Sequence, residues 1–237
     1  MELFLLSNGK LADDAPLLGY AQPQLHAMIA RRAIRSAVLI PYAIIRGDQQ
    51  QRAAELSASL GIEVERVQAF ASPAEAIAQA ELILVSGGNT WFLNQMLHEQ
   101  GLIGAIQRAV RERQVPYVGW SAATPSIRTT NDMPVRSSVV LPALGLFPVQ
   151  INPHYLDASV SGHMGETRDE RLAEFCAVNP TESVIALREG SFLHVHDNQL
   201  RYHSVRNEDF KLFRHGEPIQ GYHDARALQP LVPFQCV

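Results

Sequence analysis

The sequence predicts an α/β fold built on a doubly wound, mostly parallel sheet, and three observations lead there. Short apolar runs alternate with stretches of helical period along the first half of the chain. The runs are apolar throughout, as strands covered by helices on both faces are. They end in turns rich in Gly, Ser, Asn and Pro.

In chain order, Leu3 to Leu6 is the first strand, closed by Ser7-Asn8-Gly9, and Ser36 to Ala43 holds the second. Between them Pro23 to Ile34 has apolar residues at helical spacing. Gln49 to Leu60 is a helix stopped at Gly61, Ile62 to Val67 is a strand, and Pro73 to Ala80 is a helix that starts at Ser72-Pro73. Glu81 to Asn89 is a strand that runs into a glycine turn. Thr90 to Leu97 and Leu102 to Arg113 are helical in period, and Val115 to Trp120 is a buried strand ending in Gly119-Trp120-Ser121. Ile127 to Val149 holds several Pro and Thr residues and reads as an irregular loop. Glu166 to Val178 is a helix and Ser183 to Arg188 a strand ending at Glu189-Gly190. Phe192 to Val195, Gln199 to Ser204 and Phe210 to Phe213 are expected to form antiparallel hairpins along one edge. The expected organisation is one α/β domain over residues 1–222, with 223–237 an aperiodic tail.

With 237 residues, 46% of them hydrophobic and 19% charged, the chain can bury one large core. A formal charge of −4 gives no basic field for a phosphate backbone, so nucleic acid is not an expected partner. No apolar run approaches the ~18 residues of a membrane helix, and the amino terminus lacks the pattern of a signal peptide. A cytoplasmic protein with no membrane association is expected. The two cysteines, Cys176 and Cys236, have no metal-site or disulfide spacing and are read as reduced and non-catalytic.

Ser121 falls on the turn at the carboxyl end of a strand, where open α/β sheets collect their chemistry. It is a candidate nucleophile, and Ser is equally a favoured helix N-cap. A serine hydroxyl needs a base within hydrogen-bond reach, and that base needs a carboxylate to orient it. Of nine histidines, His154 is the best base, because it follows an extended run and Pro153 restricts its loop. Two acids compete: Glu189, at a strand end and so on the same edge as Ser121, and Asp132, in the loop close to Ser121 in sequence. Placement favours Glu189. The turn Val85 to Thr90 precedes a helix, so its backbone N–H groups are positioned for an anion or an oxyanion. His194 and His196 share a strand face, but with no third ligand apparent an exposed hairpin is the expected setting.

These residues resemble the peptidase E family of aspartyl dipeptidases, serine peptidases of family S51. The resemblance runs from Met1 to the hairpins near Phe213, with its sharpest motifs at Gly87-Gly88-Asn89-Thr90, Gly119-Trp120-Ser121-Ala122, the block from Ile127 to Pro134, the block from Leu146 to His154, and the block from Gly162 to Arg168. It implies a flavodoxin-like sheet similar to that of class I glutamine amidotransferases, followed by C-terminal antiparallel hairpins. It also implies cleavage of dipeptides with amino-terminal aspartate through an acyl-enzyme, with no metal or cofactor, by a monomer or homodimer. On that resemblance Ser121 is the nucleophile, His154 the base, and Glu189 or Asp132 the acid. Gly88 and Ala122 supply the oxyanion donors, and Arg168 receives the aspartyl side chain of the substrate.

The sequence departs from the family pattern just after Ser121. The family reads Gly-Trp-Ser-Ala-Gly, whereas here Ala122 runs directly into Ala123-Thr124-Pro125-Ser126. The segment is shorter by about four residues, close to one helical turn. That shortening keeps open the reading of a catalytically impaired relative that binds acidic peptides, and a cyanophycinase-like hydrolase is a nearer alternative within the same fold.

Overall fold

A computed structural model describes residues 1–123, 142–157 and 165–237 of the chain. Asp132, the block from Ile127 to Pro134 and the start of the block at Gly162 lie outside the described residues.

The chain opens with strand β1 (Leu3–Leu6), helix α1 (Gln22–Arg32), β2 (Ser36–Ile40), α2 (Gln49–Leu60), β3 (Glu63–Arg66), α3 (Pro73–Gln79) and β4 (Ile83–Val85). α4 (Thr90–Glu99), α5 (Leu102–Arg111) and β5 (Tyr117–Trp120) complete the first half. The helix boundaries have local causes. Asp48 caps α2 by accepting from the N–H groups of Gln50 and Gln51, and Gly61 ends it in the left-handed region (φ 69°). Ser72 caps α3 with Pro73 in its first turn, and Asn89 caps α4 by accepting from Phe92.

β1, β5, β4, β2 and β3 pair in parallel in that spatial order, with Leu6 opposite Trp120 and Val85 opposite Gly119. Alternation along β1 splits its side chains between two cores. Leu3 and Leu5 join the cluster that holds Ile77, Leu93 and Ile106, while Phe4 and Leu6 join Leu25, Met28 and Leu56. Helices α3–α5 therefore cover one face and α1–α2 the other, the doubly wound arrangement expected.

The second half holds β6 (Gln150–Asn152), α6 (Arg168–Val178), β7 (Ser183–Ala186), β8 (Ser191–His196), β9 (Gln199–Ser204), β10 (Phe210–Arg214), β11 (Gln220–Tyr222) and β12 (Gln235–Cys236). Here two expectations are corrected. First, the late strands do not all close one edge. β8 pairs antiparallel with β1, and β9 and β12 follow it, so among the described residues the large sheet has eight strands in the order β12-β9-β8-β1-β5-β4-β2-β3. β6, β7, β10 and β11 form a separate four-stranded sheet. One face of that sheet, through Ile151, Ile185 and Leu212, belongs to the main core, and the other, through Val184, Ala186 and Phe213, packs on Leu172 and Cys176 of α6.

Second, residues 223–237 are packed rather than trailing. β12 pairs in parallel with β9, and Ala225, Leu228, Val232, Phe234 and Cys236 are buried. The buried apolar spacing is irregular because the segment turns through a short 3-10 helix (Ala225–Leu228) before reaching the sheet, so no single period marks it. Both cysteines are free and buried. Among the described residues no helix is long and apolar enough to cross a membrane.

Candidate active site

The carboxyl ends of β1, β4 and β5 lie side by side, and each ends in a polar or glycine turn. At the end of β5 the backbone of Ser121 enters the left-handed region (φ 54°), and residues Ser121–Ala123 form a short 3-10 turn. The Tyr117 hydroxyl donates to the Ala123 carbonyl (2.8 Å) and ties that turn back to its own strand. Such a turn projects the serine side chain away from the sheet, which is how a strand-end nucleophile is exposed.

His154 stands two residues beyond β6 and Glu189 three beyond β7, so both come from the smaller sheet while Ser121 comes from the larger. The three meet. His154 Nε2 lies 2.7 Å from Ser121 Oγ, and His154 Nδ1 lies 2.8 Å from Glu189 Oε1. With Glu189 accepting at Nδ1, the Nδ1–H tautomer leaves Nε2 as an acceptor for the serine proton. The His154 and Glu189 side chains are 40% and 44% exposed, so the chain of groups opens to solvent, as a site that admits a peptide must. His154 shares the left-handed backbone of Ser121 (φ 54°). Non-glycine residues held there are uncommon and strained, and they cluster at functional sites.

The glycine turn after β4 reaches the same place. A Cβ on Gly87 would stand 2.8 Å from the Ser121 Cβ, so only hydrogen allows the turn to touch the serine. At Gly88 (φ 142°) a Cβ would fall 2.2 Å from the Ala43 carbonyl oxygen, and the Asn89 N–H donates to that same carbonyl (2.8 Å). Ala122 is buried beside Ser121. The pocket beside Ala122, lined by Leu93, Leu97, Tyr117 and Ala123 with Thr90 and Asn94, carries no charged side chain among its described residues.

Arg168 is the first residue of α6, half-buried, and among the described residues it forms no ion pair. Thr167 caps that helix in a reciprocal capping box with Glu170. The next residue, Asp169, accepts from the Tyr155 hydroxyl at 2.6 Å, which ties the start of α6 to the residue after His154. Burial, with Asp169 and Asp157 alongside, pushes the Tyr155 phenol up, so it stays protonated and keeps donating. The Arg188 guanidinium lies over the Tyr155 ring (5.2 Å to the centroid) and pairs with Asp157 (2.6 Å) and Asp209 (2.8 Å). The neighbours of the His154–Glu189 pair are thus bonded to each other. Neither Tyr155 nor Arg188 was marked by the sequence pattern; their position flanking the base and the acid was the available signal.

His194 and His196 sit elsewhere, and not on an exposed hairpin. β8 is an interior strand, and both imidazoles face the fully buried Glu2 carboxylate at the start of β1 (3.3 and 4.0 Å), which Arg31 (2.5 Å) and Arg32 (2.8 Å) also hold. Among the described residues no group of three or more His, Cys, Asp or Glu is arranged to hold a metal ion.

Comparison with known proteins identifies the family. The family model for peptidase family S51 matches residues 3–203. Peptidase E of Citrobacter koseri and that of Salmonella arizonae are each 43% identical over 206 residues, covering 84% of this chain and 88% of theirs. Peptidase E of Escherichia coli O6:K15:H31 is 42% identical over 202 residues, covering 82% of this chain and 86% of its own. Among solved structures, a peptidase from an acI-B1 actinobacterium superposes with a TM-score of 0.66 at 17% identity over 93% of both chains. A putative peptidase E from Listeria monocytogenes EGD-e gives 0.61 at 18% identity over 86% of this chain and 98% of that one. These two share the fold. The 43% relatives and the family model together make the chain a member of peptidase family S51.

Proposed function

We propose that this peptidase is a serine dipeptidase acting on small peptides with amino-terminal aspartate. The observation that carries the reading is the continuous hydrogen-bonded chain Ser121–His154–Glu189. In this mechanism His154 Nε2 takes the Ser121 proton as Oγ attacks the scissile carbonyl, and Glu189 stabilises the resulting imidazolium. The imidazolium then protonates the leaving amine, giving an acyl-enzyme on Ser121. A water molecule, deprotonated by His154, releases aspartate and restores the serine. The backbone N–H groups of Gly88 and Ala122 are the proposed donors to the oxyanion. Removing one such donor costs about 10²–10³ in kcat in related chemistry.

Arg168 is the proposed receptor for the aspartyl side chain, since a guanidinium fork pairs a carboxylate through two hydrogen bonds. Replacing it by alanine is expected to lower kcat/KM for Asp-Leu by about 10²-fold, in line with the loss of a charge-assisted pair, while an uncharged analogue such as Ala-Leu changes little. Equal losses on both peptides would remove Arg168 from the pocket.

The reading is tested by incubating the protein with Asp-Leu or Asp-p-nitroanilide and, separately, with a fluorophosphonate, then mapping the label. Turnover with the label on Ser121 is expected. Calorimetric binding of Asp-Leu with neither turnover nor label would instead make the chain a non-catalytic binder of acidic peptides, the reading that the shortened segment after Ala122 keeps in view. Cleavage of a long aspartate-backbone polymer in preference to dipeptides would favour the cyanophycinase-like alternative.

A further inference from the structure

We infer that Ser7 and Asn8, at the carboxyl end of β1, are positioning residues that hold the base and the acid against the nucleophile. The inference rests on the triad reading given above.

Ser7 is fully buried, and both hydrogen-bonding capacities of its hydroxyl are in use. Its Oγ accepts the His154 backbone N–H (2.9 Å) and donates its own proton to the Leu187 carbonyl (2.9 Å). That carbonyl also accepts the Tyr155 N–H (2.9 Å), so one serine joins the loop after β6 to the loop after β7. Asn8, 2% exposed, does the same for the acid. Its Oδ1 accepts the N–H of Gly190 (2.8 Å), the residue that follows Glu189 in a left-handed turn (φ 79°). Its side-chain amide donates to the Lys10 carbonyl (2.6 Å), and the Tyr20 hydroxyl donates to its backbone carbonyl (2.7 Å). Burial raises the Tyr20 phenol further from ionisation, which preserves that donor.

The placement explains why one strand carries both clamps. The pairing of Leu6 with Trp120 puts Ser7 level with Ser121. His154 and Glu189 arrive from the other sheet, and Ser7 and Asn8 fix their backbones from the strand that neighbours the nucleophile. His154 needs this support because its left-handed backbone is the costly choice for a residue with a Cβ. Without an acceptor for its N–H, the loop can relax to an ordinary dihedral and swing the imidazole off Ser121. Ser7 is not a second nucleophile, since its hydroxyl is buried and already committed to two partners.

The test compares full-length wild type with Ser7→Ala, Ser7→Thr and Asn8→Ala. A shift of about 1 Å in a reacting group costs on the order of 10²-fold. Ser7→Ala and Asn8→Ala are therefore expected to lower kcat on Asp-p-nitroanilide and the rate of fluorophosphonate labelling at Ser121 in parallel by about that factor, with KM nearly unchanged. The low-field proton resonance of the His154–Glu189 hydrogen bond should weaken or vanish in both. Ser7→Thr, which keeps the hydroxyl, should recover most of the labelling rate. Folded alanine variants that label as fast as wild type would overturn the inference while leaving the triad intact. Wild type that never labels at Ser121 would overturn the triad reading itself. Hydrogen exchange on wild type adds a measurement independent of variant folding: the amides of His154 and Gly190 should be protected, and free exchange at both would overturn the clamp.

Discussion

Ser121→Ala is expected to reduce kcat on Asp-Leu by about 10⁵–10⁶-fold, and Glu189→Gln by about 10³–10⁴-fold. The first figure follows from removing the only atom that can form the acyl bond in this scheme. The second follows from the tautomer. A glutamine can occupy the space of Glu189, but its amide can donate to His154 Nδ1 and so favour the form whose proton sits on Nε2, facing Ser121 Oγ at 2.7 Å. The serine then has a donor beside it where it needs an acceptor, and no carboxylate remains to stabilise the imidazolium. Steady-state kinetics on the two variants measure both effects, and KM should move far less than kcat. The pair also decides between the two acids. If Asp132→Asn costs more than Glu189→Gln, the 2.8 Å contact between Glu189 and His154 is not the one that orients the base.

Glu2→Gln is expected to lower the unfolding free energy at neutral pH by about 2–3 kcal/mol, and Tm by roughly 5–10 °C. Burial alone would raise this carboxyl, but His194, Arg31 and Arg32, with His196 nearby, outweigh it and hold the group down at about 2 instead of 4.5. Because the folded value lies below the unfolded one, the stabilisation is fully present above about pH 4.5 and disappears as pH falls toward 2. Wild type and variant should therefore unfold at well-separated temperatures at pH 7 and converge as the solution is acidified through that window; a constant separation would mean that the carboxylate charge is not the cause. Catalysis below the melting range should be unchanged, since Glu2 and Ser7 are at opposite ends of β1, about 16 Å apart at the rise of an extended chain.

How much of this was legible in the sequence differs from element to element. The runs Leu3–Leu6, Ile83–Val85 and Tyr117–Trp120 became parallel strands of the large sheet because a strand covered on both faces leaves an unbroken apolar signature. The run Ser183–Ala186 looks the same, yet it pairs with β6 and β10 in the other sheet. Apolarity reports that a strand is buried and says nothing about its neighbour. Glu189 was placed beside Ser121 for being at a strand end of one shared sheet. It does reach the site, but across the junction of two sheets. Ser121, His154 and Glu189 are legible because the proposed catalysis calls for particular side-chain types at turns. Ser7 and Asn8 are not, since Ser-Asn-Gly after a strand reads as an ordinary turn and their partners lie 147 and 182 residues away. Glu2 is hidden for a related reason: a carboxylate next to the amino terminus gives no sequence sign of the two arginines and two histidines that gather around it.

The left-handed backbone at Ser121 and His154 sets heat tolerance against the proposed catalysis. Each of these residues gives up about 1 kcal/mol relative to an unstrained position, and the sheet around them absorbs the loss. Glycine or asparagine at either place would relax the dihedral and end turnover. A copy of this chain freed from the need to cut peptides would consequently gain stability by drifting at 121 and 154, strained positions that catalysis would no longer hold in place, so that among descendants of this sequence retirement from chemistry should be accompanied by a higher melting temperature.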